Sequence, residues 1–237
     1  MRRRRILIIL TILCITQAPA LSFADDKASK LADAAEESAK AAKTLEEIMG
    51  IPEKAIPETV LDSAECVAVF PSTIKGGFIV GVRKGEGVVS CRTPSGWSAP
   101  VYLDMAGGSL GAQIGVQSTD FVLLFMNTSG ADHLLKNEFT VGAEASVAAG
   151  PVGREAGAST DWKLNAEILS YSRSKGLFAG AALNGVKIST DNSDMKNIYG
   201  AGHNPRDILK ENKVEAPAAV RAYPDALGRY SSRKHGN

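Results

Sequence analysis

Histidine is almost absent: the chain of 237 residues holds three, His133, His203 and His235. None is spaced with cysteine, aspartate or glutamate in a metal-ligand pattern. No metal centre is expected, and each histidine reads as a surface side chain. Charge of one sign is not in excess either, with 27 Lys and Arg against 26 Asp and Glu. Beyond residue 24, no apolar stretch reaches about 18 residues without a charge or frequent glycine, so a second membrane-spanning helix is not expected. No serine has an apparent base to activate it. Asp104, Asp120, Glu144, Asp161 and Glu167 could form a carboxylate pair only in three dimensions, and the ordinary reading is turn capping or solvent. An enzyme would need a concave pocket holding a carboxylate or histidine of shifted pKa. The expectation is no catalytic residue and no cofactor.

What is present begins with MRRRRILIILTILCITQAPALSFADD. Arg2 to Arg5 form a positive leader, and Ile6 to Ile15 an apolar core shorter than the roughly 20 residues a membrane-spanning helix needs. Ser22-Phe23-Ala24 offers small residues where a signal peptidase reads. Residues 1–24 therefore read as a secretory signal peptide cleaved near Ala24, with an uncleaved anchor as the alternative. Leu13 stands before Cys14 where lipidation expects a small residue. Without residues 1–24 the formal charge moves from +1 to −3. A mildly acidic protein is not an electrostatic nucleic-acid binder, and contact with anionic lipid would need a local basic patch. Export implies a periplasmic or envelope-associated address, where Cys66 and Cys91 tend to close a disulfide. That bond would constrain a ring of about 25 residues, worth roughly 3.5 kcal/mol. Two buried free thiols are the alternative.

Four segments follow from composition: residues 1–24 as signal peptide, 25–50 as N-terminal helix, 51–200 as a β-rich domain and 201–237 as a polar, partly mobile tail. Residues 26–49 are rich in Ala, Glu and Lys without Gly or Pro, which favours helix, and Gly50 fits its C-cap. Pro57 to Ala64 predicts a second short helix. From Cys66 the texture becomes short β-rich runs separated by Pro, Gly and Ser. Lys84-Gly85-Glu86-Gly87 and Pro94-Ser95-Gly96 read as turns, and GADHLLKN at 130–137 as a short helix. The same β texture returns at 139–150, 162–173 and 176–190, as a duplication would produce. The predicted fold class is mainly β (α+β): a glycine-rich, barrel-like antiparallel structure with N-terminal helices and short connecting helices.

The stretch GGSLGAQIGVQSTDFVLLFMN at 107–127 tests three readings. The glycines do not follow the dinucleotide order and no Walker lysine follows them. Gly111 and Gly115 have the spacing of a membrane-helix dimer motif but sit in no apolar 20-mer. What remains is a glycine-rich strand, a turn at Gln117-Ser118 and a buried strand. Together with SAPVYLDMA before it, CVAVFPSTIKGGFIVGVRKGEGVVSCR and the later FTVGAEASVAAGPVGREAGASTDWKLNAEILSYSRSKGLFAGAALNG, this stretch resembles the SYLF domain family from about Ile51 to Tyr199. The resemblance implies binding of lipid, notably phosphoinositides, with actin-filament binding in some members that carry SH3 or FYVE modules. The chain is similar to stand-alone exported bacterial members, so actin is not an expected partner. The family's lipid contact is associated with a helical segment before the sheet, here about 26–64.

The basic residues give the candidate site. Lys75 precedes a Gly-Gly strand start, Arg83 and Lys84 share one turn, Arg154 follows Gly153, and Arg173 and Lys175 flank another turn. Turns cluster at the ends of a barrel, so these six are expected to meet at one rim and receive a lipid phosphate. Phe78, Trp97, Tyr102 and Trp162 would sit at a membrane interface or finish the core, the core being favoured. Ser118-Thr119-Asp120 and Ser159-Thr160-Asp161 read as aspartate turns. The expected function is non-enzymatic binding of anionic phospholipid at the envelope. The alternative is a structural or stress-related envelope protein whose partner is another protein, marked by an exposed apolar patch without basic neighbours.

Overall fold

The computed structural model describes residues 20–51, 55–77, 80–110, 115–153, 166–181 and 183–231. Helix α1 runs Ala20–Met49, reaching back beyond Asp25 because no Gly or Pro interrupts residues 20–25. Gly50 N–H closes it on Glu46 O at 2.9 Å. Helix α2 is Glu58–Ser63, with Pro57 before its first turn. No helix among the described residues is long and apolar enough to cross a membrane.

Four long strands follow: β1 (Cys66–Gly77), β2 (Val80–Thr93), β4 (Val101–Leu110) and β5 (Gly115–Phe125), with two-residue β3 (Gly96–Trp97) beside β2. Their spatial order, β4-β2-β1-β5, is a Greek key. The β4 and β5 strands are therefore not neighbours, and Gln117-Ser118 lies inside β5 rather than in a turn. After α3 (Thr128–His133) come β6 (Glu138–Val141), β7 (Val147–Ala149), β8 (Ile168–Ser174), β9 (Leu177–Gly180) and β10 (Val186–Thr190). They extend the sheet to β6-β10-β4-β2-β1-β5-β8-β7, with β9 beside β8. Only β7 and β8 pair parallel among the described strands. The later block thus forms both flanks of one sheet curled into a half-barrel, not a second copy of the first block.

Both faces of the central strands are buried, which is why Cys66 to Phe70 and Phe121 to Phe125 read as continuous apolar runs. Ala68, Phe70, Val89, Met105, Leu123 and Phe125 fill the concave side. Val67, Val69, Val88, Val122 and Leu124 face outward under α1. Beyond this core β1 has a bulge at Pro71-Ser72: its register with β5 slips between Phe70 and Thr73. Ser72 takes φ 50° there, and Asp120 Oδ1 accepts from its N–H at 2.8 Å. The bulge brings Phe70 and Thr73 over β2, where a Cβ on Gly87 would lie 2.5 Å from Phe70 Cδ1 and one on Gly85 2.4 Å from Thr73 Oγ1. The glycines of Lys84-Gly85-Glu86-Gly87 serve this close approach inside a continuous strand, not a turn.

After α4 (Asn192–Tyr199), the chain forms α5 (Pro205–Leu209), a 3₁₀ turn at Ala218–Val220 and α6 (Ala222–Tyr230). Within the tail expected to be partly mobile, residues 205–209, 218–220 and 222–230 are helical and packed. Val220, Tyr223, Ala226 and Leu227 are fully buried, and Ser38 Oγ on α1 donates to Val220 O while accepting from Tyr223 N–H. Polar composition hid this because the apolar residues are few and each is used. Cys66 and Cys91 are directly opposed in the β1–β2 register and joined by a disulfide.

Candidate functional site

The alternation of side chains along a strand separates the basic residues that sequence places at one rim. Arg83 lies within β2, not in a turn. Its guanidinium sits over the Phe121 ring at 5.0 Å, and Phe121 belongs to the concave side. Lys75 on β1 is directly opposite Arg83 and so shares that face. Across the sheet their row continues to Gln117 on β5 and Gly107 on β4. Gln117 donates to Ser174 Oγ at 2.6 Å, which ties the row to β8. Ser174 pairs with Leu177, an aliphatic residue 75% exposed. Neither Lys75 nor Arg83 has a carboxylate partner among the described residues. Arg83 is half-buried, and burial lowers its pKa from the usual arginine value. Like charges set directly opposite on paired strands repel, and a half-buried guanidinium without a counter-ion carries a desolvation cost. An anion between the two would relieve both.

The remaining cations lie elsewhere. Lys84 is one position on from Arg83 and projects from the opposite face. Arg173 is in β8 on the side of α1, where it is neutralised. Its Nε donates to Asp120 Oδ2 at 2.8 Å, and its Nη2 lies 2.6 Å from Glu47 Oε2 on α1. Burial lowers its pKa, but the hydrogen bonds to Glu47 and Asp120 outweigh that and leave it raised. Arg173 is a structural tie between helix and sheet. Lys175 occupies the β8–β9 turn with φ 50° and lines a shallow cleft with Lys40, Lys43 and Arg173. Arg154 lies outside the described residues, as do Phe78, Trp162 and the second Ser-Thr-Asp. The first such triplet is strand, and its Asp120 holds the β1 bulge and Arg173 rather than a turn.

A second feature was not legible as a site in the sequence. On the outward face Glu86 and Asp104 are directly opposed across β2 and β4, and Asp191 and Asp194 come from the start of α4. Glu37 of α1 looks onto all four. Burial, followed by those four charges, pushes Glu37 up to about 8, and its Oε1 is buried without a hydrogen-bond partner. Burial and neighbouring carboxylates raise Asp104 and Asp194 as well. These residues border a groove of about 1000 Å³ between α1 and the end of the sheet.

Residues 106–230 match the family described as Ysc84, "Las17-binding protein actin regulator". The chain belongs to the Ysc84 (SYLF) family. It is 36% identical over 171 residues to SH3 domain-containing YSC84-like protein 1 of Xenopus laevis, covering 69% of this chain and 51% of that protein. It is 37% identical over 196 residues to LAS seventeen-binding protein 3 of Saccharomyces cerevisiae, covering 78% of this chain and 42% of that protein. The human YSC84-like protein 1 is 34% identical over 180 residues, covering 73% and 52%. The chain spans about half the length of these relatives.

Within the Ysc84 fold the other sequence candidates are structural. His133 is buried rather than on the surface, with its ring 5.5 Å from Phe139. It is buried together with Gly130 on the inner side of the short helix α3. His203 is exposed, and His235 lies outside the described residues. Glu167 joins α3 to the β6–β7 link by accepting from Ser129 Oγ and Ser146 N–H, and these bonds lower its pKa. Trp97 packs under Arg92 at 4.3 Å and donates to Ser231 O, and Tyr102 is buried with its hydroxyl on Ala34 O. Tyr102 belongs to the core and the partly buried Trp97 packs against it. Among the described residues, no group of three or more His, Cys, Asp or Glu is placed to hold a metal ion.

Proposed function

We propose that this protein is a non-enzymatic binder of anionic phospholipid at the cell envelope, taking a phosphate-bearing head group between Lys75 and Arg83. The observation that carries this reading is the pair itself: two cations directly opposed, on the concave face, without carboxylate partners among the described residues. Phosphate oxygens would accept charge-assisted hydrogen bonds from both side chains. Leu177, exposed on the same face, offers an apolar contact beside them. The early helix is a poor source of that contact, since Ala34, Ala41, Leu45 and Ile48 are buried against the sheet and α6. Steady attachment needs both an electrostatic and an apolar contribution. The family resemblance supports lipid as the ligand class, while the names of the relatives point to protein partners in those proteins.

Co-sedimentation with vesicles tests it. Neutral phosphatidylcholine vesicles are compared with the same vesicles doped with phosphatidic acid or a phosphoinositide, across a salt series. Binding that requires the anionic lipid and weakens with salt is expected. Equal binding to neutral and anionic vesicles, or none to either, refutes the reading.

A further inference from the structure

The outward groove bordered by Glu37 is a different surface from the Lys75–Arg83 face, and its chemistry is opposite. Its walls carry Glu37 from α1, Glu86 from β2, Asp104 from β4, and Asp191 and Asp194 before and within α4. Lys30, Lys40 and Lys84 reach the same groove, but Lys40 is engaged with Glu36 at 2.6 Å. Carboxylates therefore prevail. Its floor is apolar and open. Ile74 is 56% and Val82 69% exposed, both beyond the reach of the helical cover. Val82 stands between Gly76 on β1 and Gly108 on β4 in one row across the sheet. A Cβ on either glycine would meet nothing within 4 Å, so the floor is flat and lets another backbone approach.

We propose that this groove docks a cationic amphipathic helix of a partner protein. The apolar face of that helix would lie on Ile74 and Val82, and its Lys or Arg side chains would reach Glu86, Asp104 and Asp194. Charge complementarity decides the sign of the occupant. The dispersal of the carboxylates over α1, β2, β4 and α4 decides its size: no three converge as they would around a metal ion, whereas spaced charges above an apolar floor suit a helix laid in a groove. Burial first, and the neighbouring carboxylates second, raise the pKa of Glu37, Asp104 and Asp194, and an incoming cation would relieve the repulsive part. This inference stands apart from the lipid reading, because the two faces share no side chain.

The test is fluorescence anisotropy of the full chain with a labelled synthetic helix bearing Leu on one face and Lys on the other. A twin with Glu in place of Lys is the control. The cationic helix should bind with a Kd on the order of micromolar, and the acidic twin should not. The double variant Glu86→Gln/Asp104→Asn removes repulsion and so retains the fold, which thermal unfolding checks. It should weaken the cationic helix by about tenfold. Val82→Ser should also weaken it, while Lys75→Gln should not. Equal affinity for the wild type and the double variant would overturn the proposal. So would binding indifferent to Val82→Ser and abolished by equimolar spermine, which would make the groove a polyamine site.

Discussion

At the scale of single residues, side chains with similar sequence signals do different work. Arg173 and Arg83 both read as basic residues near turns. The first is held by Asp120 and Glu47, and the second has no carboxylate partner among the described residues. Arg173→Gln should therefore lower stability by about 1–3 kcal/mol through the loss of a charged hydrogen-bond network, read by chemical denaturation, and leave vesicle affinity unchanged among folded molecules. Gly87→Ala should cost about 1–3 kcal/mol, because the added methyl meets both the Phe70 ring and the Val69 carbonyl. A turn glycine would tolerate alanine when φ is negative, so an unchanged melting temperature would contradict the bulge account. Glu37 supplies the pH dependence. Its proton is held more tightly in the folded chain, so the stability it contributes is full below about 4.5 and lost as the pH rises to about 8. The loss is about 1.4 kcal/mol per pH unit across that window. Glu37→Gln should flatten the fall, most visibly in melting temperatures above pH 7, and an unchanged profile would place the titration elsewhere. Little of this was legible in sequence: Lys75 and Arg83 stood out as basic, but their opposition depends on a register shifted by one residue at Pro71-Ser72. The acidic wall assembles from four elements with no shared spacing.

At the scale of elements, composition was informative where local propensity and burial agree. Residues 26–49 form a helix because nothing in them breaks one. The runs at Cys66 to Phe70 and Phe121 to Phe125 form strands because both of their faces are buried. Composition misled where a glycine serves a close approach, as at Gly85 and Gly87, and where a few apolar residues anchor a polar segment, as in α6. The α1 helix is the cover of one sheet face rather than a detachable extension. Leu45→Ala should thus cost about 2–5 kcal/mol. In thermal unfolding this would be a large fall, and a fall under about one degree would mean that α1 is peripheral. The disulfide pins the start of β1 to the end of β2. Its reduction should remove about 3.5 kcal/mol, equivalent to a fall of roughly 7–14 °C in Tm.

At the scale of the molecule, the half-barrel turns one sheet into two surfaces of opposite character. The curl places Lys75, Arg83 and Leu177 on the concave side, the two cations without carboxylate partners among the described residues, while α1, β2, β4 and α4 set carboxylates around Ile74 and Val82 on the other. The mainly β class and the helical additions followed from the spacing of short apolar runs. The Greek-key order did not, because it depends on which strands pair and not on what each contains. The two-surface account allows a lipid contact and a protein contact at once, and it ties lipid binding to one row of the sheet rather than to total positive charge. The most direct measurement is therefore anionic-vesicle affinity for two charge-matched double variants, Lys75→Gln/Arg83→Gln and Lys84→Gln/Lys175→Gln. The account predicts that the first loses affinity at least tenfold, with a shallower salt dependence, and that the second stays near wild type. Equal losses in the two variants, or a larger loss in the second, would contradict it.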